Sequence, residues 1–512
     1  MKKIKRIRKK IQMHPVMTFC ILILFTIVIS GILTLFNVSA SYNKVSSNGI
    51  LIKEFVKVEN LFSLSGIKYI FSNAVSNFAS FAPLSMLIIT LLGFGIMEKS
   101  GFLDSFFHLL TKRSSKKLVT FTLSLICILA SIGGDLSFIV LIPLSALLFK
   151  YGKRNPKAGI ILAFASLSSG YGINILMNSI DSALLEYTNL SSSLIAENYL
   201  LNTYSYMVIM FLAAIVFAFI NTSITEKIIV PKVGHYEYID EKEDYLTKRE
   251  KRGLLLSLIA GCIYLLIFIY NIIPYAPLGG NLLDYSQKLY IDKLFGFNSF
   301  FNQGFVFVVT LLFFILGITY GLGAKTIKNE NDVLNSLSFS LDKIGKVLVL
   351  IFFASSLIFI FKKTNIGLVL TALLSNFIGN SSFTGIPLIL LLFFVSALST
   401  VLLPNSVSRW SILSGTVVPV FMNAGLSPAF ATVIFRAGEC VTYGLTPLMA
   451  YYVIYLSFMQ LYNDNDNEGL FGCMKYIIPY SGYALLGWIV LLLGFYIIGL
   501  PLGIGSFVGL WF

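Results

Sequence analysis

Charged residues are scarce in this sequence: Asp, Glu, Lys and Arg make up 12% of its 512 residues. Soluble globular domains use about 25%. Hydrophobic residues make up 56% of the chain, and the mean hydropathy is +0.83. One water-soluble core cannot hide this much apolar surface. The composition therefore excludes a soluble protein and predicts an all-α polytopic membrane protein, in which each helix needs ~20 apolar residues to cross the hydrocarbon layer.

The residues that bind metals or form disulfides are also few. The cysteines show no paired spacing, and the histidines form no ligand pair; they are Cys20, Cys127, Cys262, Cys440, Cys473, His14, His108 and His235. We expect the cysteines to fill apolar space in helices, with no metal site and no cofactor. An intramembrane transferase is disfavoured, because such enzymes need a nucleophile–base set or metal ligands.

Positive charge is plentiful, and its distribution predicts orientation. The net charge is +14, and the first ten residues carry seven of the basic side chains. Other basic residues lie in short loops beside apolar spans, which is typical of cytoplasmic loops and not of a nucleic-acid surface. The apolar run 17–38 is too long for a signal peptide, and no A-x-A cleavage site follows it. We predict a multi-pass protein of the cell (cytoplasmic) membrane with a cytoplasmic N-terminus.

Long apolar segments recur along the whole chain and predict about nine transmembrane helices. They lie near 17–38, 83–98, 158–177, 205–224, 253–274, 303–322, 386–404, 444–460 and 478–500. The charge pattern divides the chain into a basic cytoplasmic N-terminus (1–16), a first transmembrane repeat (17–224), a charged cytoplasmic linker (225–252) and a second transmembrane repeat (253–512).

The segment 117–150 lies between two basic loops, so both of its ends are expected on the cytoplasmic side. Its polar apex, residues 131–135, leaves two arms of about 15 residues, which reach only ~22 Å and cannot cross a ~30 Å layer. A re-entrant hairpin fits better than two spans. Irregular backbone at membrane depth is tolerated beside a water-filled cavity, which places Gly133, Gly134 and Asp135 near a binding site.

The second half of the sequence repeats this pattern. A helix containing Pro143 is followed by Asn155-Pro156 and then by the polar stretch NILMNSIDSALL. A helix containing Pro419 is likewise followed by Ser427-Pro428 and FRAGECVTYGLTPLM. Interrupted helices in corresponding positions predict an inverted-repeat transporter with a site near the bilayer midplane.

Ionisable side chains inside apolar segments are expensive and suggest function. Arg436 and Glu439 stand three residues apart and share one helix face. They are either a structural ion pair or a site in which Arg436 binds a substrate carboxylate and Glu439 a proton or cation. An unwound backbone at Thr446-Pro447 would add to that site.

Two aspartates and a polar apex are further candidates. Asp181, three residues after Asn178, is either a proton-exchanging carboxylate or a helix-end residue at the membrane interface. Asp135 is either functional or a helix cap. At the apex 404–408, which includes Ser408, Trp410 could stack on an aromatic ligand or anchor the interface, next to the intramembrane Arg409. Glu98 is expected to be an interface charge.

The motifs resemble the AbgT-type (p-aminobenzoyl-glutamate transporter) family from about residue 60 to 505. GGDLSFIVLIPLSALLF and the spacing of Asn174 and Asp181 match its first-half motif. TPLMAYY, IIPYSGYALLGW and GLPLGIG are close to its C-terminal pattern. The sequence departs from the family at Val407, Glu439, Tyr443 and the Lys362-Lys363 pair, so it is a divergent member.

The resemblance implies a homodimer of inverted-repeat protomers, each with two re-entrant hairpins, that moves p-aminobenzoyl-glutamate or exports sulfonamide-type antimetabolites. It places Asp181, Trp410, Pro428, Arg436, Glu439 and Pro447 at the family's functional positions. We expect coupling to protons, with sodium as the alternative ion. A dicarboxylate or amino-acid carrier of the same architecture is the alternative function.

Overall fold

The computed structural model describes residues 13–510 except 47–48, 176–177, 198, 203, 237–245, 288–289, 296–298, 343 and 463–467. Most of the predicted basic N-terminus and residues 237–245 of the predicted linker lie outside this part. Nine described helices are long and apolar enough to cross a membrane, as many as predicted, although Lys116–Gly133 and Ile344–Lys363 stand in place of the predicted spans 158–177 and 444–460. The nine helices are Pro15–Leu35, Leu64–Ser100, Lys116–Gly133, Met207–Val233, Lys248–Asn271, Gly304–Ala324, Ile344–Lys363, Gly385–Leu402 and Leu470–Ile498.

In the first half of the chain, the described residues form one β-hairpin and ten α-helices. α9 continues through a π-helical turn, Thr225–Ile229, into α10, so helix extends to Val233, into the predicted linker. The elements are α1 (Pro15–Leu35), β1 (Ser39–Val45), β2 (Leu51–Lys57), α2 (Leu64–Ala79), α3 (Ala82–Ser100), α4 (Phe102–Arg113), α5 (Lys116–Leu129), α6 (Leu136–Tyr151), α7 (Pro156–Gly170), α8 (Ser179–Ser192), α9 (Met207–Ile224) and α10 (Val230–Val233).

The described part of the second half forms eleven α-helices and a two-stranded ribbon near its end. Its elements are α11 (Lys248–Asn271), α12 (Tyr290–Phe295), α13 (Phe300–Ala324), α14 (Glu330–Phe339), α15 (Ile344–Lys363), α16 (Ile366–Gly379), α17 (Gly385–Leu402), α18 (Ser406–Asn423), α19 (Pro428–Thr442), α20 (Tyr452–Leu461), α21 (Leu470–Ile498), β3 (Pro501–Gly503) and β4 (Ser506–Phe507).

The antiparallel β1–β2 hairpin pairs Ser39 with Lys57 at its base and lies outside the spanning helices. Lys44 and Tyr42 on β1 both donate hydrogen bonds to the Glu54 carboxylate on β2. These bonds stabilise the charged carboxylate and lower its pKa from the usual value.

The segment 117–150 forms the predicted re-entrant hairpin. α5 and α6 are joined by a 3-10 turn, Ala130–Gly133, and the two ends of the hairpin meet. There Nη1 of Arg154, just beyond α6, donates to the Lys116 carbonyl at 3.3 Å, and Nη2 lies 2.6 Å from the Glu226 carboxylate. α5 and α6 have 14 and 16 residues and are about 21 and 24 Å long, short of the ~30 Å hydrocarbon layer. α5 reaches the 18 residues of a candidate span only when the 3-10 turn at the apex is counted with it.

Two segments expected to be continuous spans are interrupted instead. In 158–177, α7 ends at Gly170 and α8 begins only at Ser179; in 444–460, α20 begins only at Tyr452. These interruptions, 171–178 and 443–451, are named break 1 and break 2. In break 1, a Cβ on Gly172 would lie 2.7 Å from the Arg436 carbonyl oxygen, so only glycine fits. The apolar content of both segments is high, but their Gly, Asn and Pro residues end the helices.

The second half repeats the order of the first, as predicted. The hairpin α5–α6, the helix α7, break 1 and α8 correspond to the hairpin α17–α18, the helix α19, break 2 and α20. Both α7 and α19 begin with a side-chain N-cap, Asn155 or Ser427, followed by proline. The packing is reciprocal, because α8 packs against α18 and α20 packs against α6. This exchange brings the two breaks and the two hairpin tips together.

Candidate functional site

Arg436, on α19, lies at the centre of a buried polar network. Its Nη1 is 2.6 Å from Oε2 of Glu439, and its Nη2 is 3.3 Å from Oδ1 of Asp181. Nη2 also donates to the carbonyl oxygen of Tyr171 in break 1, at 2.7 Å. The predicted contact between Arg436 and Glu439 is therefore present, and Arg436 also connects the second repeat to the first.

A second arginine shares the Glu439 carboxylate. Nη2 of Arg409, on α18, is 2.6 Å from Oε1 of Glu439, and the Ser406 hydroxyl donates to the same oxygen. Nη1 of Arg409 donates to the Ser396 carbonyl at 3.2 Å and also to the Thr400 hydroxyl. The positive charge on Arg409 is thus neutralised by Glu439 of α19, while its hydrogen bonds to Ser396 and Thr400 stay within the second hairpin.

Asp181 is held at the N-terminus of α8. Nδ2 of Asn174 donates to its Oδ2 at 2.6 Å, and Asn178 and Asp181 form a reciprocal capping box. Nδ2 of Asn178 donates to the Ser131 carbonyl in the first hairpin tip at 3.1 Å. Asp181 is 2% exposed, so the interpretation as an interface residue is wrong.

The four charges of this network balance: two arginines, Arg409 and Arg436, meet two carboxylates, Asp181 and Glu439. All four side chains are buried, with at most 2% of each residue exposed. Desolvated charges are tolerated only when they are paired and hydrogen-bonded. The network is therefore a neutral unit that spans both repeats, and removing one member leaves an uncompensated charge.

Trp410 takes neither of the positions considered from the sequence. It is fully buried, its ring centroid lies 4.6 Å from that of Phe435, and its Nε1 donates to the Thr188 hydroxyl at 2.9 Å. An interface anchor would be exposed, so that interpretation is wrong. In this conformation Trp410 joins α18 to α8 and does not line a cavity described below.

Two adjoining cavities lie between the hairpin tips, with volumes of about 360 and 260 Å³. Both are lined by Asp135 from the first tip, Asn405 from the second tip and Tyr171 from break 1. We name this pair of cavities the tip chamber. Tyr171 stacks on Tyr443 of break 2 with ring centroids 4.0 Å apart, so the aromatic wall comes from both repeats.

Asp135 lies at the position before α6, but its side chain forms no capping hydrogen bond. The capping interpretation is therefore wrong. Its carboxylate faces the tip chamber, as predicted from the break in the hairpin. It is the one acidic side chain among the described residues that line the chamber.

The remaining predicted residues lie at different distances from the chamber. Ser408 lines the larger cavity, and Asn178 lines the smaller one. The Thr446 hydroxyl donates to the Val401 carbonyl at 2.6 Å, next to the partly buried Pro447. Pro428 is the buried first residue of α19, and Glu98 lies partly buried in the last turn of α3.

Sequence reasoning missed several members of the site. Tyr171, Tyr443 and Asn405 line the chamber, and Ser406 binds Glu439. The signal that was available is their position, because each lies at a helix end beside a break or hairpin tip. In the part of the chain that the structure describes, no group of three or more His, Cys, Asp or Glu side chains could hold a metal ion.

In the described residues, nine apolar helices of spanning length, two repeats with reciprocal packing and a charged network beside a polar chamber are typical of a polytopic membrane transporter. The profile of the AbgT transporter family matches residues 1–510, and the chain belongs to this family. The resemblance drawn from the sequence motifs is thereby confirmed.

Individual relatives cover nearly the whole chain. It is 27% identical over 505 residues to the p-aminobenzoyl-glutamate transport protein of Escherichia coli (strain K12), covering 98% of this chain and 96% of that protein. It is similar to the YdaH transporter of Alcanivorax borkumensis, at 27% identity, with 96% and 100% of the two chains covered and a TM-score of 0.49. It is also similar to Neisseria gonorrhoeae MtrF, described as illuminating a class of antimetabolite efflux pumps, at 28% identity, with 97% and 98% covered and a TM-score of 0.49.

Proposed function

We propose that this protein is a proton-driven secondary transporter of p-aminobenzoyl-glutamate or a related aromatic carboxylate, with the substrate held in the tip chamber. The observation that carries the proposal is the juxtaposition of this chamber with a buried two-acid, two-arginine network. The substrate class follows from the name of the Escherichia coli relative, which is 27% identical. Aromatic walls at Tyr171 and Tyr443 suit an aryl ring.

Asp181 is the proposed proton carrier. With Asp181 ionised, the four-charge network is neutral; with Asp181 protonated, it gains one positive charge, and Nη2 of Arg436 loses its charged partner. In the present arrangement Arg436 is paired with Asp181 and Glu439. Once Asp181 is protonated, Arg436 becomes available to a substrate carboxylate. Because the network joins the two repeats, a change in its charge would favour movement of one hairpin tip against the other.

The proposal extends to assembly and orientation. We propose a homodimer in the cytoplasmic membrane with the N-terminus inside. The support is the seven basic residues among the first ten and the exposed apolar side chains of α11, such as Leu255, Ile259 and Leu266, which require lipid or a second copy.

Uptake of radiolabelled p-aminobenzoyl-glutamate into proteoliposomes tests the transport function. We expect an imposed proton gradient to drive accumulation, unlabelled p-aminobenzoyl-glutamate to compete, and succinate not to compete. Accumulation driven only by a sodium gradient would contradict proton coupling. Transport of succinate alone would contradict the substrate assignment in favour of a dicarboxylate carrier.

The Asp181→Asn variant tests the proton carrier. We expect gradient-driven accumulation to fall to the level measured without a gradient, while counterflow exchange continues, because the amide oxygen can keep the hydrogen bonds from Asn174 and Asn178 but the side chain cannot carry the proton. The variant also loses the ion pair with Arg436, so both rates are normalised to folded protein. Asp332→Asn is a matched control, since Asp332 forms the same capping box with Asn329 at the start of α14, outside the network. Proton-driven accumulation by Asp181→Asn at the wild-type rate would remove Asp181 from the mechanism.

A further inference from the structure

Two adjacent lysines end α15, and their surroundings differ. Nζ of Lys363 is 2.6 Å from the Glu59 carboxylate, and Lys363 lines a separate cavity beside the β1–β2 hairpin. Lys362 instead lines the larger cavity of the tip chamber. Within the described residues, no acidic side chain forms a salt bridge with Lys362. Lys362 is exposed, and no acid in the described part of the chain neutralises its positive charge.

The larger cavity has two charged positions on an otherwise mostly apolar and aromatic wall. Lys362 is the one cationic side chain, and Asp135 the one acidic side chain, among its described lining residues. The other lining groups include the apolar side chains of Phe361, Leu402 and Leu448. This wall fits a ligand that combines an apolar or aromatic body with an anionic group and a hydrogen-bond donor.

The two arginines of the network do not offer an alternative anion site in this arrangement. Nη1 and Nη2 of Arg436 are occupied by Glu439, Asp181 and the Tyr171 carbonyl. Arg409 is paired with Glu439 and is fully buried. An anion that enters the chamber therefore meets one unpaired cation, Lys362.

We propose that Lys362 is a specificity-determining residue that binds the anionic group of the substrate, while Asp135 accepts a hydrogen bond from its amine or amide end. This inference rests on the proposed transport function and adds the orientation of the ligand. A lysine in the last turn of a helix also interacts favourably with the helix dipole. Lys363 occupies the same turn, so it serves as a control for that effect.

The test compares two substrates that share an aryl amine but differ in charge. The substrates are p-aminobenzoyl-glutamate, which carries carboxylates, and sulfanilamide, which is neutral. Counterflow gives the half-saturating concentration of each substrate for wild type, Lys362→Gln, Lys362→Glu and Lys363→Gln. For Lys362→Gln we expect a rise of up to about fivefold for p-aminobenzoyl-glutamate, as for an ion pair that water reaches, and no change for sulfanilamide. Lys362→Glu should raise the half-saturating concentration for p-aminobenzoyl-glutamate further, because the two negative charges repel each other. Lys363→Gln should change the half-saturating concentration for neither substrate.

The outcomes separate this inference from the proposed function. Suppose that wild type carries p-aminobenzoyl-glutamate. If Lys362→Gln then leaves the half-saturating concentration for this substrate unchanged, or raises the half-saturating concentrations for both substrates equally, the anion site is overturned and the transport function stands. A wild-type protein that carries neither substrate contradicts the proposed function and this inference together.

Discussion

The Glu439→Gln variant is expected to destabilise the folded protein by about 3–5 kcal/mol, the range measured when one partner of a buried ion pair is removed. Glu439 is fully buried and is the single carboxylate that contacts both Arg409 and Arg436. A neutral amide would leave the network with two arginines and one carboxylate. Thermal unfolding of the purified variant in detergent should show a much lower melting temperature than wild type.

Two further variants make this prediction specific. Glu54→Gln removes an acid that also pairs with a basic residue, Lys44, but whose side chain is 40% exposed, so a loss of at most about 1 kcal/mol is expected. The double variant Arg409→Met/Glu439→Gln restores the charge balance and should recover part of the stability lost by Glu439→Gln alone. If Glu439→Gln melts as high as Glu54→Gln, the buried network is not the structural unit inferred here.

The Asp135→Asn variant should have the opposite profile, with normal stability and greatly reduced transport. Asp135 neither caps α6 nor forms a salt bridge with a described residue, so an isosteric amide leaves the fold intact. A hydrogen bond to a charged group contributes about 1.5–3 kcal/mol, so weakening it in a binding site is expected to reduce transport by roughly 10- to 100-fold. The measurement is initial uptake of p-aminobenzoyl-glutamate, normalised to protein that elutes as a folded species.

Asp104→Asn on α4, whose carboxylate does not line the chamber, is the control for a general effect of removing an acid and should transport normally. Wild-type uptake by Asp135→Asn would show that the tip chamber is not where the substrate binds.

Local sequence patterns were sufficient to predict the elements that build the site. Short apolar arms on either side of the Gly133-Gly134 apex predicted the first hairpin, and proline positions predicted the correspondence of the two halves. The spacing of Arg436 and Glu439 predicted their contact, because residues three apart on a helix share a face. In each case the partners are close in sequence, so helix geometry alone determines the result.

Contacts between distant segments could not be predicted in this way. The pairing of Arg436 with Asp181 crosses between repeats, and Arg409 reaches Glu439 from a different helix. Both depend on the reciprocal packing of α8 on α18, which no local pattern encodes. For the same reason Trp410 was assigned to a ligand or to the membrane interface, whereas it packs between buried helices. Hydropathy also overestimated the continuity of 158–177 and 444–460, since it averages over the residues that break a helix.

The most direct test of the account is whether substrate enters the space between the hairpin tips. Ser408→Cys places a thiol on the larger cavity of the tip chamber, and a small charged methanethiosulfonate reagent can label it. The background carries Cys20→Ser and Cys262→Ser, because the other native cysteines are buried. Ser286→Cys, in an exposed loop, provides the reference rate. We predict that Ser408→Cys reacts and that p-aminobenzoyl-glutamate slows its labelling without affecting Ser286→Cys. Labelling of Ser408→Cys at the same rate with and without substrate would contradict a ligand site in the tip chamber.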